Sequence, residues 1–296
     1  PSAQTTAIVS SNGTFSPVVI PATAASNTIR CLVLKGGTGA NKGGIEFTGA
    51  SAVVVEGCII VSNNCGIYYG AAATLTLRNT LIARNAAAAI QSASGGTCYL
   101  YNCTVADNGG NGLWSNTGGT DLIPVAKNTL FTGNKGWGIY KGALTAGGSI
   151  QNCLFFANTN GPTYAALGLA DLGGNKSGRD PKYTDPTNLN YRVQTASPAA
   201  AAGADLAALG VTNDILGMPR PQGAWDMGVH EDSGAGEPAL LSEAYVSKTG
   251  TNATGDGSQG NPWATPSYAL GYVAPSGMVR VAAGTYTNNI HFGADK

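Results

Sequence analysis

The chain has 296 residues, enough for one large all-β domain or two modest ones. Its 16 basic and 16 acidic residues cancel, and charged residues make up only 11%, so it has no basic stripe with which to hold a nucleic-acid backbone. No apolar run is long enough to span a bilayer, and the six cysteines form no C-x-x-C pair of the kind a tetrahedral zinc site uses.

Along the chain, the first feature is a repeat. Five segments align: "VEGCIIVSN" (55–63), "LRNTLIARN" (77–85), "LYNCTVADN" (100–108), "KNTLFTGN" (127–134) and "IQNCLFFAN" (150–158). Their closing asparagines are Asn63, Asn85, Asn108, Asn134 and Asn158, at intervals of 22, 23, 26 and 24 residues. A small residue and an apolar one follow most of them: Gly66-Ile67, Ala89-Ile90, Gly112-Leu113 and Gly138-Ile139, with Gly44-Ile45 marking an earlier coil.

Strand alternation predicts two inward rows. One is Cys58, Thr80, Cys103, Thr129, Cys153, and the other is Ile60, Ile82, Val105, Phe131, Phe155. Each segment is too short to bury its own face, so coils must stack about 4.8 Å apart to form a core. Stacked asparagines can bond amide to amide while holding a bend. This predicts an all-β right-handed parallel β-helix with three-strand coils of about 22–26 residues. A helical reading of the repeat is excluded by the recurrent glycine and the β-branched and aromatic content. Cys31, Cys58, Cys65, Cys98, Cys103 and Cys153 are even in number, which permits disulfides; buried thiols are the simpler expectation.

The residue after each small–apolar pair should face solvent: Glu46, Tyr68, Gln91, Trp114, Tyr140. Tyr68, Trp114 and Tyr140 form a row that fits either a lateral contact or a sugar chain. Glu46, Glu56, Asp107 and Asp121 occupy different repeat positions, so they share no catalytic row, and no catalytic residue is assigned. Glu56 and Arg78 should pair across neighbouring coils on the surface. His230 and His291 are isolated and read as surface or cap residues.

Residues 1–179 are therefore expected to be β-helix coils, and 180–231 the last coils and closing segment. The latter carries Ser197-Pro198, an Asp-x-x-Gly-x-Pro-Arg turn from Asp214 to Arg220, and Trp-Asp-x-Gly from Trp225 to Gly228. Residues 232–243, "DSGAGEPALLSE", read as a linker. Residues 244–296 read as the opening of a β-helix: a first strand, a turn-rich loop, a capping helix near 267–273, and another strand. Asp256 in that loop is either a calcium ligand or a plain Asp-Gly turn.

These segments resemble the pectate-lyase-like right-handed β-helices, in particular the extracellular repeat-containing surface proteins, but in circularly shifted order. The resemblance implies an extracellular or cell-surface protein. Tyr245, Val246, Trp263, Tyr268, Leu270 and Val273 would form a cap over the first coil of the next unit, either covalently joined in a tandem array or a separate subunit, so that the chain is a structural unit of a head-to-tail filament or surface array. Polysaccharide binding or cleavage is the alternative. Two other arrangements stay open: an engineered permutant, and a tail returning to its own first coil. A stem of about ten coils would be ~48 Å long, whereas a linker of this length reaches at most about 40 Å.

Overall fold

The computed structural model describes residues 7–22, 27–115, 120–142, 145–165, 168–195, 197–221, 223, 225–231, 241–252 and 254–286. His291 and most of the expected linker lie outside them.

Short strands recur in threes from Ala7 to Ser177 and stack into three parallel sheets of eight, seven and seven strands. The pairing is in register from coil to coil: Ile60 lies beside Ile82, Ile82 beside Val105, Val105 beside Phe131, and Phe131 beside Phe155. Both expected inward rows are buried, and Phe131 and Phe155 stack with ring centroids 5.2 Å apart. Strands Ala73–Arg78 and Leu122–Lys127 alternate buried with more exposed residues, as strands with one face on a core must. All six cysteines are free and buried. Burial pushes the Cys58, Cys65, Cys98, Cys103 and Cys153 thiols up to about 12, so they act as small apolar side chains.

The asparagine ladder is continuous. Asn63 Nδ2 donates to Asn85 Oδ1 at 3.1 Å, and the next three steps, through Asn108 and Asn134 to Asn158, are each 2.9 Å. Each acceptor oxygen also takes the backbone N–H of the asparagine one coil back. The residue preceding each asparagine is left-handed, with φ of 57° at Ser62, 52° at Arg84 and 54° at Asp107. The small residue at the next corner has a packing cause: a Cβ on Gly66 would lie 2.4 Å from Ile82 Cγ2.

Residues 180–231 do not add coils in series. A hairpin of Tyr183–Asp185 and Asn190–Val193 turns the chain back, and the segment runs along the outside of the stem as a strap. Val193, Ala199 and Met227 cover Leu130 and Leu154, while Tyr191, Ile215 and Val229 cover Val33, Val61, Leu81, Ala83 and Ala106. This explains why strands Leu81–Ala83, Thr104–Ala106 and Leu130–Thr132 are buried on both faces. Among the described residues the stem has eight rungs at most, fewer than the expected ten. The strap itself makes the return journey, which removes the expected difficulty of spanning the stem with the linker.

Asn108→Ala leaves the Asn85 backbone N–H and amide and the Ile82 carbonyl without their partner. It should cost on the order of 3 kcal/mol in urea unfolding; a loss below ~1 kcal/mol would mean the ladder is not a principal stabiliser.

Candidate functional site

Three features stand outside the core: an outward aromatic row, a polar lock under the strap, and the tail unit.

The outward row exists in register. Glu46 lies beside Tyr68, Tyr68 beside Gln91, Gln91 beside Trp114, Trp114 beside Tyr140, and Tyr140 beside Tyr164. Tyr164 extends the row, and Trp137 adds a second aromatic at its flank, with ring centroids 5.7 Å apart. Tyr140 and Tyr164 are near-parallel with centroids 4.8 Å apart. At that separation parallel rings overlap, so each turns a face to the next coil rather than to solvent. Glu46 departs from expectation. It is 7% exposed, accepting from Ser16 Oγ at 2.8 Å and from Lys42 Nζ at 2.7 Å. The remaining carboxylates are engaged separately. Glu56 pairs with Arg30 on the preceding coil at 3.1 Å instead of with Arg78 as expected, because Arg78 is turned under the strap, against Gly210. Asp107 takes the Tyr191 hydroxyl at 2.7 Å, and Asp121 takes the Thr145 amide at 3.1 Å.

The lock gathers the motif residues of the closing segment. Asp214 Oδ1 accepts from the Leu216 and Met218 amides, forming the turn. Arg220 at its end donates to Glu231 at 2.5 Å, to the Gly228 carbonyl at 2.9 Å, and to Asn79 Oδ1 on the stem at 3.0 Å. A second asparagine row thus grips the strap. Asn79, Asn102 and Asn128 are left-handed, with φ of 44°, 50° and 50°, and donate to the Asn213, Asp226 and Ala204 carbonyls. These residues sit inside the repeat ("LRNT", "LYNC", "KNT"), so the signal was present, but a strap partner could not be read from it. Burial lifts the Glu231 carboxyl to about 7 despite Arg220, and raises Asp214 as well. His230 is half-buried: burial and then Arg192 and Arg220 lower it to about 3, and its Nδ1 is buried without a hydrogen-bond partner.

The tail unit is a two-stranded parallel sheet, Leu241–Val246 beside Val273–Val281, with helix Pro266–Tyr272 between them. Leu241–Glu243, expected in the linker, are strand. Thr265 caps the helix, and Pro266 occupies its first turn. Of the six expected cap residues, Val246, Trp263, Tyr268 and Val273 share one small core with Ala244 and Ala269. The Trp263 and Tyr268 rings meet edge to face, with centroids 5.2 Å apart. Tyr245 instead turns outward to Glu243, and Leu270 is half-buried. Leu216 and Met218 of the strap pack against this core, which holds the unit beside the stem. Asp256 closes an Asp-Gly turn, accepting from the Ser258 amide at 2.9 Å. Among the described residues no group of three His, Cys, Asp or Glu side chains could hold a metal ion.

The model of the family described as a right-handed β-helix region matches residues 18–175. No curated protein and no solved structure matches the chain.

Buried Glu231 and half-buried His230 have opposite proton linkages. Glu231 is raised from 4.5 to about 7, so its contribution is complete below 4.5 and lost as pH rises through about 7. His230 is lowered from 6.5 to about 3, so its contribution is present above 6.5 and lost as pH falls toward 3. In urea unfolding between about pH 5 and 7, Glu231→Gln should leave stability falling on acidification, and His230→Asn should leave it rising. Equal slopes in the two variants would contradict the burial of this pair.

Proposed function

This chain belongs to the right-handed β-helix family, and from that premise we propose that it is a structural unit of an extracellular filament or surface array. Units join head to tail through residues 244–296, and the partner is another copy of the chain. The observation that carries this reading is the placement of exposed apolar side chains. Ile8, Phe15 and Val19 lie on the first coil, with Phe15 72% exposed, and Met278 and Val281 lie on the tail strand, at 51% and 43%. Strands Ala7–Gly13 and Val273–Val281 are each at the edge of their sheet. An apolar strand edge is a template for another strand. The two surfaces differ, so their contact is heterologous and propagates instead of closing.

The extracellular placement rests on the likeness of the closing and opening segments to surface β-helices. The reading in which Tyr68 and Trp114 hold a sugar chain has less support. The same row continues into Tyr140 and Tyr164, whose faces are turned to each other, an arrangement suited to lateral contact between stems.

The intact chain should sediment as a distribution of growing oligomers and give fibres by electron microscopy. The chain lacking residues 241–296 should sediment as a monomer. An intact chain that stays monomeric or stops at a closed dimer would refute the filament, as would a truncated chain that still forms fibres.

A further inference from the structure

The tail strand repeats the pattern of the first coils. Val279, Val281 and Gly284-Thr285-Tyr286 follow one another with the spacing of Leu32, Leu34 and Gly37-Thr38, and the first coil carries Gly13-Thr14-Phe15. Gly13 and Gly284 share an unusual backbone region, with φ of 131° and 158°. Within the stem, Val9 lies beside Leu34 and Gly13 beside Gly37, with one extra residue on the first coil. Within the tail, Val246 lies beside Val281. Val246 is buried on the sheet face covered by the helix and Trp263, and Val279, two residues before Val281, packs against the same core, while Val281 beyond it is 43% exposed.

We propose that Val273–Val281 forms the rung preceding Ala7–Gly13 of a second copy, in parallel, with Val281 beside Val9, Gly284 beside Gly13 and Tyr286 beside Phe15. This rests on the head-to-tail reading and specifies its register. The inward row then runs unbroken from Val246 through Val281, Val9 and Leu34 to Ile60. The contact continues a ladder already present, because the edge it occupies is the free side of the strand paired with Leu32–Gly37. The tail helix then lies over the end of the partner's core, where an uncovered coil would expose it. A second copy is favoured over self-capping by where the tail sits. Docked on Leu216 and Met218 of its own strap, it leaves Ile8, Phe15 and Val281 of the same chain exposed.

The test is a charge exchange between Phe15, exposed on the first coil, and Tyr286, half-buried against the margin of the tail core. Phe15→Glu alone and Tyr286→Arg alone should each raise the concentration for half-assembly about tenfold or more. The double variant should recover most of that loss, and Phe15→Glu with Thr285→Arg should not. Circular dichroism and urea unfolding check that each variant folds. Oligomers that form through residues 241–296 but ignore Phe15 and Tyr286 would overturn the register while leaving the head-to-tail reading intact. Monomers in which the two positions are coupled would show self-capping and overturn the second copy. A closed dimer showing the same rescue would retain the register and end the filament. An intact chain that is monomeric and uncoupled would overturn both.

Discussion

A buried amide that bonds to the same amide one coil away is the constraint from which the rest of this molecule follows. Asn85 is typical: its two amide N–H groups are shared among the Ala83 carbonyl of its own coil, the Ile60 carbonyl of the preceding coil and the next asparagine, Asn108. Such a group cannot tolerate a slipped coil, because a buried donor would lose its partner at a cost of about 1–3 kcal/mol. The register of the three sheets, the alignment of the inward rows and the stacking of Phe131 on Phe155 all depend on that alignment.

A stack built this way has two unavoidable problems. The first is its outer faces. The alternating strands on one sheet leave half-exposed side chains outside, as soluble sheets do. The sheet carrying the asparagine ladder instead has apolar residues on both faces, and the strap covers the outer one. The strap is fastened by Arg220, which meets a carboxylate, a carbonyl and a stem asparagine at once. Glu231 and Arg220 stay buried because both carboxylate oxygens and both guanidinium Nη atoms have partners; Arg220 Nε is left without one. The second problem is the ends. A parallel sheet that does not close into a barrel always has two edges, and the tail unit carries the same kind of edge with the same valine spacing.

Much of this was legible in the repeat. The period, the asparagines, both inward rows and the outward aromatic row follow from side chains alternating along short strands, and the structure places them as that alternation requires. The strap was not legible as a strap. Its motifs, Asp214 to Arg220 and Trp225 to Gly228, are local turns, and a turn does not say what it turns toward. The one clue was the run of apolar residues in "LIA" and "LFF", which have no solvent-facing position and so call for cover on both sides. The burial of Glu46 was not legible for a related reason: it is supplied by Ser16 and Lys42, which share no repeat position with it.

The sequence by itself therefore determined the coil, because a periodic pattern encodes contacts between equivalent positions. It also showed a turn-rich segment with a short helix and flanking strands toward the end of the chain. Only the tertiary structure decided that residues 180–231 run back along the stem and that the tail unit docks on Leu216 and Met218. It decided, too, that Arg30 rather than Arg78 meets Glu56. Those contacts join positions with no shared period, and chain proximity in space, rather than any repeat in the residues, brings them together.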